Sequence, residues 1–514
     1  MALEGAAPTT AGRWAGGIAL GIAALMVAAP FFAATAFIGD DHLFLAFARH
    51  AHHPWAAFLT DRHGGEYYRP LPMVAWWLLG RLGGGSSFPF ALCAFALHAG
   101  AALLVAGLLR ALERPRAAAY AAAGLFFLAP QNLEAALWFS ASTDLLATIF
   151  VLASLIYLLR DRPALASLVA AAAFLSKESA YVLPFLGVVV IWARPDPVGA
   201  DPPRPRWRQL VAIAPQFVLL AAVVVVRRIV LRGWGGSGDP RPDVFGLGLQ
   251  IASGFAQLFT GDQIVPVPLA FAVGAVVIAL SVLSLARRGR GGVRFAPLAF
   301  AAVATAPLAA AGWAVGARYF YLPAVGLCWA VGEAMAVLGS AAQITVAALL
   351  ILAGAAQAME RRAEILSYGR RVGATRRAVA AGLRAGHHVF QVDGGIKDID
   401  LTVKEDPAIE AGGVLVLGDV PASFAIIPPD LSTSAAILVA APPLPPSGGY
   451  NFGDVRVVAL ARRGDEPDLD EVLTRFPDLR FIRLRAVGGG RVIARDLTDE
   501  MKQRLDAAGS DGQD

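Results

Sequence analysis

Residues 88–116, FPFALCAFALHAGAALLVAGLLRALERPR, carry the pattern that decides the fold. An apolar run from Phe88 to Leu109 is followed at once by Arg110, Arg114 and Arg116. About 20 apolar residues in a helix span the hydrocarbon core of a bilayer. Arginines beside a span mark its cytoplasmic end. The stretch therefore predicts a transmembrane helix whose C-terminal end faces the cytoplasm.

The same pattern recurs along the chain of 514 residues, which is 57% hydrophobic and 16% charged, with a mean hydropathy of +0.58. Soluble domains average about 25% charged residues, so this composition indicates a membrane protein. The fold class that we predict begins with an all-α polytopic membrane domain of about eleven transmembrane helices. The predicted spans cover about residues 15–38, 88–110, 117–130, 144–159, 164–176, 180–193, 210–231, 264–286, 295–315, 319–337 and 341–358.

The arginines between these spans set the orientation. A sequence pI near 9.4 is compatible with nucleic-acid binding, but the arginines cluster between apolar runs, which is the positive-inside pattern and excludes that class. With the N-terminus inside, the inner segments carry fourteen arginines: Arg13, Arg110, Arg114, Arg116, Arg160, Arg162, four within 194–208 and four within 287–294. Eleven spans then place the C-terminal tail outside. Seven arginines within 359–386 oppose this, and one miscounted span would put the tail inside.

The tail has a different composition from the spans. The predicted organisation is a transmembrane domain at 1–358 with a large first outer loop at 39–87, a basic linker helix at 359–385, and a small soluble α+β domain at 386–514. Short β-like runs occur at 398–403, 413–417, 423–427, 435–440, 454–461, 479–485 and 490–495. The tail contains no repeat, phosphate-binding loop or metal motif, and the sequence predicts no cofactor.

The first outer loop holds the densest set of chemically active residues, FIGDDHLFLAFARHAHHPWAAFLTDRHGGEYYRPLP from Phe37 to Pro72. Asp40 and Asp41 stand where the chain leaves the first span, and acids at that depth mark a functional site by default. The loop ends in Tyr67-Tyr68-Arg69, which also fits an aromatic belt at the membrane surface. Its five histidines would suit a metal, but their aromatic neighbours favour an interfacial role, and we predict no metal site.

Other polar residues fall at span ends on the side of that loop: Glu134, Asp144, Lys177, Glu178 and Arg318. Each has a simpler explanation, as a helix cap, an interface anchor or a snorkelling side chain. Together they predict an outer cavity lined by carboxylates and cations. A carboxylate there would accept the proton of an attacking hydroxyl. The cations would hold a phosphate and stabilise its charge as it leaves.

The order of several motifs resembles the GT-C glycosyltransferases, in particular the protein O-mannosyltransferase-like group. The motifs that carry the resemblance lie within about residues 20–360: GDDH, YYRPLP, LHAGAALLV, APQNLEAALWFSASTDLLATIF, LSKESAYVLP and ARYFYLPAVG. The tail lacks the tetratricopeptide repeats of some relatives. The resemblance implies transfer of a sugar from a polyprenyl-phosphate donor on the periplasmic or lumenal face.

The resemblance also implies roles for the residues. Asp40 or Asp41 falls at the catalytic acid position, and Glu134 or Asp144 at a second acidic position. Lys177 and Arg318 stand at the positions that the resemblance implies for phosphate binding, and Arg69 is a further candidate. Tyr68 and Glu178, with the second acids, would position the substrate.

The sequence thus favours an inverting glycosyltransferase of a bacterial inner membrane. Its partners would be the lipid-linked sugar, membrane lipids and an acceptor that the sequence leaves open as protein, lipid or glycan. A polyprenyl-diphosphate-dependent glycan ligase and a lipid-glycan transporter are the alternatives. A ligase would use histidine and arginine in a late outer loop, and 233–263 offers no histidine. A transporter would need charges within the spans and paired gates on both faces, whereas the polar clusters lie mainly on one face.

Overall fold

The structure is a computed structural model, and it describes residues 37, 41–59, 67–83, 86–194, 206–233, 258, 279, 295–311, 317–336, 340–384, 389–393, 422–424, 438–440, 451–452, 455–456, 481–487, 491–496 and 499. The chain divides into two compact units. The first comprises Met1–Thr35 and Ala51–Ala363, and the second comprises Ala36–His50 and Glu364–Asp514.

The described part of the first unit is helical. In chain order the α-helices of the molecule are α1 Asp41–His50, α2 Ala56–Leu59, α3 Pro70–Gly83, α4 Phe88–Ala111, α5 Arg116–Leu128, α6 Asn132–Leu137, α7 Ser142–Leu159, α8 Pro163–Phe174, α9 Leu183–Ala193, α10 Arg206–Val211, α11 Ala214–Val230, α12 Ala296–Ala311, α13 Pro323–Met335 and α14 Ser340–Arg384. Helix α1 belongs to the second unit. Short 3₁₀ helices occur at Phe139–Ala141, Glu178–Val182 and Ala317–Phe320.

Three helical segments within the described ranges are long and apolar enough to cross a membrane: Phe88–Ala111, Phe139–Leu159 and Gln209–Val230. The first has 24 residues, and at a rise of about 1.5 Å per residue it exceeds the thickness of a bilayer core. Shorter apolar helices lie at Arg116–Leu128, Pro163–Phe174, Glu178–Ala193 and Ala296–Leu308. The predicted helical, membrane-type character is therefore confirmed, whereas the count of eleven spans stays a prediction.

Small residues let the helices of the first unit approach closely. A Cβ atom on Gly332 of α13 would lie 2.8 Å from the carbonyl oxygen of Ala118 in α5. A Cβ atom on Gly354 of α14 would lie 2.6 Å from the carbonyl oxygen of Leu128. Side chains would not fit at either place, and backbone approach of this kind is the usual packing of membrane helices.

The second unit contains short strands: β1 Val389–Asp393, β2 Ala422–Phe424, β3 Leu438–Ala440, β4 Asn451–Phe452, β5 Val455–Arg456, β6 Phe481–Val487 and β7 Arg491–Asp496. The β6 strand pairs parallel with β1 and antiparallel with β7, giving the order β1-β6-β7. The strands β6 and β7 lie where the sequence predicts them, and β1 was not expected. The predicted runs at 398–403 and 413–417 lie outside the described residues.

Predicted and observed elements agree where the apolar run is long. The predicted span 88–110 is α4, and the predicted span 144–159 lies within α7, Ser142–Leu159. The predicted surface helix at 42–59 divides into α1 and α2. The predicted spans 15–38 and 264–286, apart from Phe37 and Ala279, lie outside the described residues.

Candidate functional site

Several helices of the first unit begin or end at one common place. Helix α7 begins there, α8 ends there, and the 3₁₀ helix Glu178–Val182 starts the next apolar segment. The loop before α3 is fixed to this place because the Leu71 amide donates to the carbonyl oxygen of Leu175 at 3.2 Å. The Trp76 indole also donates to the Ser142 hydroxyl at 3.1 Å, joining α3 to α7.

Lys177 and Asp144 form a buried ion pair at this place. The Lys177 ammonium donates to Asp144 Oδ2 at 2.6 Å, and both side chains are only 5% exposed. The pKa of Lys177 is lowered to about 8: burial is the largest cause, Asp144 opposes it, and Arg69 and Arg318 add to the lowering. Lys177 is therefore mostly protonated at neutral pH. Asp144 lies in the first turn of α7, and its carboxylate binds Lys177.

Glu178 binds two arginines from distant parts of the chain. Its Oε2 atom accepts from Arg69 Nε at 2.9 Å and from Arg69 Nη2 at 2.7 Å. Its Oε1 atom accepts from Arg227 Nη1 at 3.1 Å. Both carboxylate oxygens are thus engaged, and the carboxylate holds the loop before α3 against the end of α11. The Arg69 guanidinium also lies over the Tyr67 ring, 4.2 Å from its centroid.

Arg318 approaches the ion pair from the 3₁₀ helix Ala317–Phe320. Its guanidinium lies 4.0 Å from the centroid of the Trp138 ring and 5.1 Å from that of Tyr319. The Lys177 ammonium lies 4.7 Å from the same Tyr319 ring, so the two cations share one aromatic neighbour. Cation–π contacts of this kind help to hold both cations beside the Tyr319 ring.

A buried hydrogen bond anchors the turn that follows Arg318. The Tyr321 hydroxyl lies 2.8 Å from His98 Nδ1, and His98 Nε2 lies 3.0 Å from the carbonyl oxygen of Phe127. Since a carbonyl only accepts, Nε2 donates to Phe127 and Nδ1 accepts from Tyr321. The Tyr321 amide in turn donates to the carbonyl oxygen of Arg318 at 3.1 Å. His98 thus helps to position Arg318.

These groups form one cluster with an excess of positive charge, which we name the cation cluster. Its members are four cations and two carboxylates: Lys177, Arg69, Arg227, Arg318, Asp144 and Glu178. The net charge of these six groups is therefore +2. Guanidinium and ammonium groups bind phosphate and carboxylate oxygens, so a cluster rich in cations is of a kind that suits an anionic ligand.

Other residues that the sequence singled out have separate contacts. Glu134 Oε2 lies 4.0 Å from Arg361 Nη2 on α14. The Tyr68 hydroxyl is buried and donates to the carbonyl oxygen of Phe58 at 3.3 Å. Asp41 begins α1 in the second unit and is fully buried, while Asp40 lies outside the described residues. The roles assigned to all of these residues stay predictions.

The sequence did not single out Arg227 or Trp138 as site residues. Arg227 and Arg228 fall inside the apolar run predicted as a span at 210–231. Charged residues inside a span mark a functional site by default, and this signal could have identified Arg227. Trp138 lies between two apolar segments, in a stretch that the sequence predicts to be a loop. In the structure it follows α6 and precedes the 3₁₀ helix Phe139–Ala141.

No group of three or more histidine, cysteine, aspartate or glutamate residues in the described part of the chain is arranged to hold a metal ion. Of the five loop histidines, His52 and His53 are exposed, and His53 stacks on Trp55 with ring centroids 5.0 Å apart. His63 lies outside the described residues. The contact with Trp55 is of the kind that an interfacial histidine makes.

The chain is similar in structure to ArnT from Cupriavidus metallidurans. The structure of ArnT bound to undecaprenyl phosphate gives a TM-score of 0.45 at 15% sequence identity, covering 76% of this chain and 85% of ArnT. The apo structure gives 0.48 at 15% identity, covering 79% of this chain and 86% of ArnT. No family model and no curated protein matches the sequence. Likenesses of this size do not by themselves assign a function to the chain.

Proposed function

We propose that the chain is an inverting membrane glycosyltransferase that transfers a sugar from a polyprenyl-phosphate donor to an acceptor hydroxyl. The observation that carries the proposal is the cation cluster, where four cations gather around two carboxylates at the ends of apolar helices. A lipid phosphate places its charge at the membrane surface while its hydrocarbon chain stays in the bilayer. The motif resemblance to GT-C glycosyltransferases supplies the donor class.

The cluster residues take three roles in this reaction. Lys177, Arg318 and Arg69 hold the donor phosphate. Asp144 orients the Lys177 ammonium through their contact of 2.6 Å. Glu178 orients Arg69 and Arg227, so the two carboxylates act through the cations rather than on the sugar.

The bond changes follow from the charges. The acceptor oxygen attacks the anomeric carbon, the bond from that carbon to the phosphate oxygen breaks, and its electron pair leaves on the phosphate. A carboxylate accepts the proton from the acceptor hydroxyl. Asp41 or Asp40 is the proposed general base. Preorganised cations stabilise the negative charge that grows on the leaving phosphate.

The remaining assignments belong to the same proposal. Glu134 and Tyr68 would shape the region that receives sugar or acceptor. The protein would lie in a bacterial inner membrane with the site and the tail at 386–514 on the periplasmic side. The tail would recognise the acceptor or a partner.

The test is sugar transfer by the full chain in membranes offered a panel of polyprenyl-phosphate sugars. Wild type is compared with Asp40→Asn and Asp41→Asn, and Arg160→Gln serves as the control because Arg160 is exposed at the opposite ends of the helices. We expect one aspartate variant to lose about 100-fold or more of the transfer rate at normal protein levels. Arg160→Gln should match wild type.

Two results would contradict the proposal. Wild-type protein that transfers from no monophosphate donor, but does transfer from a diphosphate-linked glycan, would identify the ligase alternative. If both aspartate variants transferred sugar at the wild-type rate, the first loop would not supply the general base.

A further inference from the structure

We propose that Trp76 is a positioning residue, which sets the contact between Lys177 and Asp144 through its hydrogen bond to Ser142. The inference rests on the function proposed above, in which Asp144 orients the Lys177 ammonium toward the donor phosphate. Trp76 does not have to touch the donor for this role. It acts on the start of α7, and through that start on the ion pair.

Helix α3 contacts the chain just before each partner of the ion pair. At the N-terminal end of α3 the Leu71 amide donates to the carbonyl oxygen of Leu175 at 3.2 Å, two residues before the lysine of the pair. Further along α3 the Trp76 indole donates to the Ser142 hydroxyl at 3.1 Å, two residues before the aspartate. Because one helix contacts both approaches, its position helps to set the distance between the two charges.

The Trp76 side chain is fixed in place by its neighbours. It is buried, with an exposed fraction of 1%. The centroid of its ring lies 4.6 Å from that of Phe90 on α4, and the Phe90 ring lies 6.0 Å from that of Phe139. Phe139 begins the 3₁₀ helix that leads directly into α7. The row of rings therefore joins α3 to the same start of α7 that the hydrogen bond reaches.

The ion pair is sensitive to where α7 begins. Asp144 lies in the first turn of α7, and its short side chain reaches Lys177 Nζ at 2.6 Å. The attraction between two charges weakens as they separate, and it changes most in a buried site. Lys177 also faces Arg69 and Arg318, which lower its pKa, whereas Asp144 raises it. A displaced α7 would weaken the contact that raises this pKa, so the ammonium would lose its proton at lower pH.

The neighbouring Trp77 offers a matched control on the same helix. Its indole donates to the carbonyl oxygen of Ala51, in the chain before α2, at 2.9 Å. Trp76→Phe and Trp77→Phe therefore remove the same kind of donor and keep most of the ring. The first variant loses a contact with α7, and the second loses the contact with Ala51. Ser142→Ala removes the other partner of the Trp76 hydrogen bond.

The first measurement is thermal melting of the purified full chain in detergent, which needs neither donor nor acceptor. Trp76→Phe, Ser142→Ala and Trp77→Phe are each made in the wild-type chain and in Lys177→Met/Asp144→Asn, which lacks the ion pair. We expect the first two to lower the melting temperature of the wild-type chain, and to lower that of the chain without the pair by about half as much or less, because they act through it. Trp77→Phe should cost the same in both chains. An equal loss for Trp76→Phe in both chains would overturn the inference.

The second measurement is the pH dependence of kcat/KM for sugar transfer, which a loss of stability alone would not change. Trp76→Phe should move the fall in kcat/KM to lower pH by about half a pH unit or more, since Asp144 then raises the pKa of Lys177 less. Ser142→Ala should give the same shift, the double variant Trp76→Phe/Ser142→Ala should give no larger one, and Trp77→Phe should give none. An unchanged profile in Trp76→Phe would overturn the inference.

The two measurements distinguish this inference from the proposed function. Wild-type protein that transfers no sugar would remove the proposed function, and the melting temperatures would still decide whether Trp76 acts on the ion pair. If the chain without the pair does not fold, the pH profile decides. Wild-type transfer with equal melting losses in both chains would leave the proposed function standing and remove the role of Trp76.

Discussion

The two ends of the helices in the first unit carry charge in different ways. At the end that holds the cation cluster, charged side chains are largely buried and interlocked across several helices. At the opposite end the arginines that follow or precede the helices are exposed to solvent: Arg110, Arg116, Arg160 and Arg162. Exposed arginines suit the lipid headgroups and the positive-inside rule, whereas buried ones need a specific partner.

The opposite end also has one buried carboxylate, and its surroundings sharpen the contrast. Glu333 accepts from the Trp329 indole at 2.7 Å and contacts Arg114 Nε at 3.4 Å. Arg114 also donates to the carbonyl oxygen of Ala193 at 3.2 Å. In these contacts one cation meets one carboxylate. The cation cluster instead joins four cations and two carboxylates from several elements, and the proposed function assigns it to a ligand.

The largest effect on sugar transfer should come from variants that remove the charge of Lys177 and keep an apolar side chain in its place. Lys177→Met leaves Asp144 as an unpaired buried charge, which typically costs about 3–5 kcal/mol of folding free energy. The double variant Lys177→Met/Asp144→Asn removes both charges and should recover thermal stability in detergent. Transfer should stay about 100-fold or more below wild type in both variants, because the phosphate loses its cation.

This pair of variants separates a ligand site from a structural pair. Thermal melting in detergent and the initial rate of sugar transfer are measured on the same preparations. If the double variant recovered transfer together with stability, Lys177 would only stabilise the fold. The two ends of the helices would then be equivalent.

The second-largest expected effect is a dependence of kcat/KM on pH, which should come from Lys177 in the cation cluster. The pKa of Lys177 is lowered to about 8, chiefly by burial, so the side chain is protonated below that pH and neutral above it. Phosphate binding needs the protonated form. We therefore expect kcat/KM to fall as pH rises through about 8, reaching about one tenth of its plateau at pH 9.

Lys177→Arg is the control for that pH profile, since a guanidinium keeps its proton throughout the range. Its kcat/KM should be lower than that of wild type at neutral pH and flat from pH 7 to 9. A wild-type profile that is flat over this range would contradict the assignment of the phosphate to Lys177. An identical fall in Lys177→Arg would assign the titration to another group.

The sequence predicts the helices well and their contacts poorly. The helix α4 follows from a long apolar run that ends in arginines, which is a local property of the chain. The pairing of Lys177 with Asp144 crosses 33 residues and that of Glu178 with Arg69 crosses 109. Those pairings depend on which helices are neighbours in the fold, and the apolar runs do not determine which helices are neighbours. The sequence predicts all four residues on one side of the membrane but does not predict their pairing.

Local patterns also hid two elements of the site. Arg227 lies within an apolar run, so hydropathy assigned it to a span rather than to a site. Helix α6, Asn132–Leu137, follows a proline and begins with polar residues, which is typical of a loop. Trp138 directly follows α6. Because helix propensity does not predict α6, it also does not predict that the Trp138 ring lies beneath Arg318.

A smaller effect is expected when the shape of one cation changes and its charge stays. Arg318→Lys keeps the charge but loses the planar group that lies 4.0 Å from the centroid of the Trp138 ring. We expect KM for the donor to rise about tenfold with little change in kcat, because cation–π contacts contribute about 1 kcal/mol or more. Arg162→Lys at the opposite end is the control and should match wild type. An unchanged donor KM in Arg318→Lys would exclude stacking on Trp138 as the device that positions this cation.

The smallest effect on transfer should come from the buried contacts of the opposite end. Trp329→Phe removes the indole donor that lies 2.7 Å from Glu333 and keeps most of the ring volume. A lost hydrogen bond to a charged group costs about 1.5–3 kcal/mol, so thermal melting in detergent should shift to lower temperature. The transfer rate per folded molecule should equal that of wild type, because Trp329 lies far along the helices from the cation cluster. A tenfold loss of that rate at unchanged stability would show that the two ends are functionally coupled, and the separation between ligand site and structural pair would fail.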